Sequence, residues 1–277
     1  MNGIPYLKKD RVLVWHDEFR GNKLDSQKWF FSQTMTNADA LYDNSEGNIR
    51  IENNELLMRV NRLDGDKPYT LSQGLTTHYK MSFKYGYVEM RANVPFRRGA
   101  WPSFWMMSVP SLHNEEIGWS ASVNIFEVFA DKNTFCSNLC KVGESPFFEN
   151  VKLPSDEDKK GRTYTFENYE NLNNEYHVYG LDWTKQHMSF FVDEKCYYTY
   201  NIDEENDFGN DVLPGMSGFH EYMFLILNNE IFTKNSPGCP EGAALTDGDK
   251  MPIEYRVDWI RLYQNPLTDS IVACKQD

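Results

Sequence analysis

Residues 122–127 read Ser-Val-Asn-Ile-Phe-Glu, which puts a hydroxyl (Ser122), an amide (Asn124) and a carboxylic acid (Glu127) in one short apolar run. A carboxyl group held in such a place can give up and recover a proton during bond cleavage. A serine hydroxyl is a weak nucleophile unless a base takes its proton. No histidine stands near Ser122 in sequence, and the strand context differs from a nucleophile elbow. The proton chemistry of this run therefore rests on Glu127.

The three polar residues work together only if they point the same way. Side chains alternate across a strand. Ser122 and Asn124 then share one face, and Val123 and Ile125 the other. A regular strand would send Glu127 to the apolar face, where an unpartnered acid is costly. A bulge inserts one residue and shifts the alternation after it. With a bulge at Ile125 or Phe126, Ser122, Asn124 and Glu127 all face one side.

Other runs are read by the same parity. In Gly86–Val94, residues Val88, Met90, Ala92 and Val94 form a core face. Tyr87, Glu89, Arg91 and Asn93 form a polar, aromatic one, where Glu89 and Arg91 could pair or grip a ligand. In Tyr222–Phe232, residues Met223, Leu225 and Leu227 belong to the core, and Asn228 and Glu230 extend the other face. Trp101 and Trp105 share a face; we expect Trp101 to stack on a ligand and Trp105 to lie in the core. Trp119 and Trp183 are further candidates for a binding face. Arg97 and Arg98 can meet a hydroxyl or an anionic substituent. His177 reads as a structural histidine.

The elements that position these residues are strands. No long helical period occurs. Short alternating runs recur at 12–19, 48–53, 56–62, 84–94, 103–109, 122–129, 176–183, 188–192, 197–202, 222–232 and 254–263. Many short strands with turn residues between them predict an all-β sandwich or jelly roll. Without a repeat or a low-complexity linker, residues 1–277 read as one domain. Long loops are expected at 131–175, 203–220 and 233–252, and such loops in compact domains are usually functional or mobile.

Composition narrows the partners. The formal net charge is −13, so nucleic acid, which needs a basic surface, is excluded as a partner. Aromatic residues make up 15%, which favours strands and also suits the flat C–H faces of sugars. The odd cysteine count, Cys136, Cys140, Cys196, Cys239 and Cys274, allows one disulfide or only unpaired thiols, and the spacing is poor for zinc. No apolar run approaches the roughly 20 residues needed to span a bilayer. The N-terminus has no apolar signal core. Either the protein is intracellular, or a signal has been removed from a secreted, periplasmic or cell-surface protein.

Five blocks, in order, carry a resemblance. These are Trp15–Trp29, Phe83–Arg91, Gly99–Met107, Tyr176–Trp183 and Val257–Gln264, with 122–127 between the third and fourth. Together they resemble glycoside hydrolase family 16, in the bulged-strand form Glu-x-Asp-x-x-Glu. The resemblance implies a jelly-roll sandwich with a concave cleft. It also implies endo-acting, retaining cleavage of a β-linked glucan or galactan by a monomer that needs no organic cofactor. By the same resemblance Glu127 is the acid/base, Ser122 stands at the nucleophile position, and Asn124 stands at the helper-Asp position. Asp258 resembles a position that helps hold a structural calcium in some members.

The departures at 122 and 124 matter. Retaining cleavage uses two carboxyl groups about 5–5.5 Å apart. Serine is too short to replace one. With two negative neighbours gone, Glu127 is expected to be a stronger acid than in an intact site. Two accounts remain: a natural enzyme carrying Asn124 and changed once at Ser122, or a natural polysaccharide-binding protein that has lost catalysis. Ala100–Ser103 and Asn228–Glu230 lean toward galactose-containing chains.

Overall fold

A computed structural model describes residues 6–32, 36–110, 115, 118–143, 149–150, 163–167, 170–203 and 217–273. All eleven strands expected from the sequence form, within a few residues of their expected ends. With nine further strands they assemble into two sheets, each ten-stranded among the described residues. Nearly every pairing is antiparallel; Ala40–Tyr42 with Tyr69–Leu71 is parallel. This is the expected all-β jelly-roll sandwich.

The first sheet runs Lys195–Asn201, His187–Val192, His177–Trp183, Gly86–Asn93, Ile253–Gln264, Glu55–Arg62 and on to two short strands. The second runs from the pair at Glu149–Asn150 through Thr134–Gly143, Trp119–Glu127, Ala100–Ser108 and Met223–Ile231 to Gly74–Thr76 and Phe30–Ser32. Between the sheets lies one large core. Val88, Met90 and Ala92 enter it from the first sheet, and Phe104, Met106, Leu225 and Leu227 from the second. The alternation read from both sequences is thus the alternation in space.

Residues 131–175 are not one long loop. They contain a ten-residue strand, Thr134–Gly143, paired along the 122–127 strand. Its core side is Phe135, Ser137 and Leu139, all buried, so a polar residue interrupts the apolar alternation. None of the four described cysteines, Cys136, Cys140, Cys196 and Cys239, is in a disulfide; Cys274 lies outside the described residues.

Which sheet a strand joins corrects several expectations. The polar face of Gly86–Asn93 is not in the cleft. It is the far side of the first sheet, covered by the N-terminal turn. Glu89 is 1% exposed and pairs with Lys8 at 2.7 Å, while Leu7 packs on Tyr87. Arg91 reaches Asp258 at 2.5 Å and lies over the Tyr176 ring. Asp258 therefore holds a guanidinium where a metal had been expected. Among the described residues no group of three or more His, Cys, Asp and Glu stands close enough to hold a metal ion. Trp183 is also displaced from the cleft. It is fully buried in the core, edge-on to Phe83 and Tyr85. His177, as expected, is structural: its ring meets Asp193 at 2.7 Å and packs on Phe166.

Candidate active site

The bulge exists, and it sits where parity required it. Along Thr134–Gly143, Ser122 faces Cys140 and Asn124 faces Asn138, and the register then jumps to Glu127 facing Cys136. Against Ala100–Ser108, Phe126 faces Phe104 and Asn124 faces Trp105, leaving Ile125 as the extra residue. Val123, Ile125, Phe126 and Val128 all enter the core. Phe126 anchors the irregularity, with Tyr179 at 4.6 Å and Phe135 at 6.0 Å between ring centroids. The Ser137 hydroxyl donates to the Ile125 carbonyl at 2.5 Å, which satisfies a backbone acceptor that the bulge takes out of the ladder. Ser122, Asn124 and Glu127 are left together on the opposite, cleft-side face.

Glu127 is clamped by two donors. The Trp101 indole N–H reaches Oε1 at 2.7 Å, and the Asn124 side-chain amide reaches Oε2 at 2.5 Å. Trp101 is thus a direct partner of the acid, and its ring stacks on Phe232 at 4.5 Å. Burial pushes the Glu127 carboxyl up to about 7, and the two donors, which favour the charged form, offset this only in part. A carboxyl that keeps its proton to neutral pH suits proton donation to a leaving oxygen.

Ser122 is 1% exposed, and its Oγ has no hydrogen-bond partner. Its register neighbours are Met107 on one side and Cys140 on the other, neither of them a base. A buried hydroxyl without a partner costs about 1–3 kcal/mol. The site keeps that polar atom beside an assembled acid.

A second acid stands on the same face, two strands away. Glu230 faces Trp101 across the sheet, and Asn228 faces Ser103, itself opposite Glu127. The Tyr42 hydroxyl donates to both Glu230 oxygens, at 3.2 and 3.0 Å. Burial raises the Glu230 carboxyl to about 7 against the opposing effect of that donor. Tyr42 was missed in the sequence; it lies on a short strand far along the chain, with no local signal.

The remaining candidates divide. Trp105 is not part of the inter-sheet core. It belongs to a separate cluster on the cleft side with Phe224 and Ile226, and its indole N–H donates to Asn228 at 2.8 Å. The Arg98 guanidinium is bound to Asp249 at 2.7 Å beside Thr246. For Trp119 only the strand pairing is described; its side chain lies outside the described residues. Gly99, at φ +80°, turns the chain into the Trp101 strand, and a Cβ there would meet Leu245 at 2.2 Å.

A sandwich with an acid raised above a bulged strand defines a jelly-roll glycoside hydrolase scaffold. Residues 12–265 match the family described as "Beta-porphyranase A-D, GH16 domain", so the chain belongs to glycoside hydrolase family 16. It is 25% identical over 273 residues to glucan endo-1,3-beta-glucosidase A1 of Niallia circulans, covering 91% of this chain and 38% of that protein. It is 27% identical over 271 residues to the keratan-sulfate endo-1,4-beta-galactosidase of Sphingobacterium multivorum, covering 96% of this chain and 58% of that protein. The chain therefore spans well under two thirds of these two relatives. Among solved structures it is similar to a Glu-to-Ser mutant of a family 16 non-specific endo-β-1,3(4)-glucanase. The TM-score is 0.67 at 25% identity, with 93% of this chain and 96% of that chain covered. That protein carries a 1,3-β-D-cellobiosyl-glucose at its active site.

Proposed function

We propose that this chain binds a β-linked galactan or glucan across the cleft face of its second sheet, that Glu127 is the acid/base, and that hydrolysis is disabled at Ser122. The observation that carries the reading is the buried, unpartnered Ser122 hydroxyl beside the Glu127–Asn124–Trp101 assembly. Retaining cleavage needs a carboxylate to form a covalent bond to the anomeric carbon while the acid protonates the leaving oxygen. Glu127 is tuned for the second task. Ser122 has no base to activate it for the first. Asn124 orients Glu127 without adding charge, and Asn228 and Glu230 line the floor beside it. The related Glu-to-Ser enzyme with an oligosaccharide at its active site supports retained binding without a full catalytic pair. A polymer of this kind is met in secretion, in the periplasm or at a cell surface, and the protein acts there as a monomer with no cofactor.

The test restores the carboxylate. The chain as it stands binds one of agarose-, porphyran-, laminarin- or keratan-type oligosaccharides without cleaving it. Ser122→Glu hydrolyses that same ligand, releasing products of retained anomeric configuration. Hydrolysis by the unaltered chain would overturn the disabled reading. The second reading, a binding protein that never used this site for catalysis, is favoured by Asn124. It predicts that neither Ser122→Glu nor the double variant with Asn124→Asp cleaves any bound ligand.

A further inference from the structure

The cleft face does not stay polar along its length. From Ser122 the register runs through Met107 to Phe224, and from Asn124 through Trp105 to Ile226 and Thr76. Strands lie about 4.8 Å apart, so Phe224 and Ile226 stand roughly 10 Å from the 122–127 strand, the span of a short oligosaccharide. Here the face becomes a pocket lined by Trp105, Met107, Phe224, Ile226, Thr76 and His78. The His78 ring lies flat on Phe224 at 4.1 Å and 11°, and Tyr79, 73% exposed, stacks on His78 at 3.8 Å. Burial lowers the His78 pKa, so the ring stays neutral.

Three polar groups lining this pocket are already engaged, while Ser32 and His78 add a hydroxyl and an imidazole to an otherwise apolar wall. The Thr76 hydroxyl accepts the His78 backbone N–H at 3.0 Å, and the Ser108 hydroxyl accepts that of Ala121 at 3.0 Å. The Trp105 N–H turns away to Asn228. A sugar hydroxyl pressed against Met107, Phe224 and Ile226 loses water without a matching partner, whereas a methyl group gains by leaving water. The pocket is continuous with the Glu127 face through Trp105 and Met107.

We propose that this pocket is a subsite for a sugar unit carrying a methyl-bearing substituent, and that it gives the protein a preference for substituted over plain chains. The proposal rests on the polysaccharide-binding reading above and names a feature of its ligand. An O-methyl ether and an acetamido group both present a methyl, and the experiment separates them.

Calorimetric titration of the chain as it stands would use three oligosaccharide sets of equal length. These are a plain agarose-type β-galactan, its 6-O-methylated form, and a keratan-type chain with N-acetylglucosamine. Burying one methyl is expected to tighten binding about fourfold over the plain chain. Whichever substituted set shows that gain identifies the substituent. In Met107→Asn the ratio of substituted to plain affinity is expected to fall to about one, while Met107→Leu keeps it. Equal binding of plain and substituted chains, or a preference that survives Met107→Asn, would overturn this proposal alone. If no set binds, the cleft reading falls with it.

Discussion

Replacing Glu230 by Gln isolates the cost of holding an ionised carboxyl in the cleft floor. Glu230 is 4% exposed, and burial keeps its proton on to about pH 7, against an ordinary value of 4.5. The folded protein therefore holds more protons than the unfolded chain between these two values. Stability from this group is fully present below pH 4.5, falls as pH rises toward 7, and stays low above it. A tenfold change in proton affinity is worth about 1.4 kcal/mol, so the rise from 4.5 to about 7 makes the swing at most about 3.5 kcal/mol. Glutamine keeps a carbonyl oxygen to accept from Tyr42 but does not ionise. Denaturant unfolding of both proteins at pH 4.5 and pH 8 is the assay. The difference in unfolding free energy should be near zero at the lower pH. It should favour Glu230→Gln by up to about 3.5 kcal/mol at the higher. Carboxylates such as Glu18, lowered by its bond from Arg261, titrate alike in both proteins and cancel in the difference. A variant that tracks the parent in parallel across this range would refute the claim that Glu230 is protonated in the fold.

Trp101→Phe removes a donor that favours ionised Glu127, so the Glu127 pKa should rise above about 7; a fall, followed by NMR titration of labelled glutamate, would contradict the clamp. Ser137→Ala leaves the bulge carbonyl of Ile125 without its donor, and should cost roughly 1–3 kcal/mol in chemical denaturation. Gly99→Ala must take a positive φ and push against Leu245, and should cost at least about 1 kcal/mol by the same measurement. Calcium or a chelator should leave the melting temperature unchanged, because Arg91 already occupies Asp258; a rise of several degrees on adding calcium would show a site elsewhere.

The strands, the core faces and the bulge were legible because each follows from alternation within one segment. Val88 and Met90 against Glu89 and Arg91 is a statement about two sides, and the two sheets keep it. What alternation does not carry is which outer side is the cleft. Glu89 and Arg91 were misplaced for that reason, since their strand belongs to the sheet on the far side from Glu127, whereas Trp183 points inward to the core between the sheets. Thr134–Gly143 escaped because Ser137 faces the core, where it serves the bulge rather than the apolar pattern. Trp105 looked like core because it is large and shares a strand with Phe104, yet it packs with Phe224 and Ile226 on the cleft side. The Tyr42–Glu230 pair joins residues far apart in the chain, and the raised Glu127 pKa comes from burial, which no local spacing encodes.

The extra residue at Ile125 also separates two kinds of inheritance. The backbone phase that turns Glu127 outward is held from beneath, by Phe126 and Ser137, and owes nothing to what stands at 122. A codon change at 122 can therefore alter that side chain while Phe126 and Ser137 still hold the bulge. The outward turn of Glu127 and the identity of residue 122 can thus vary independently, one kept in the strand's geometry and the other in a single codon.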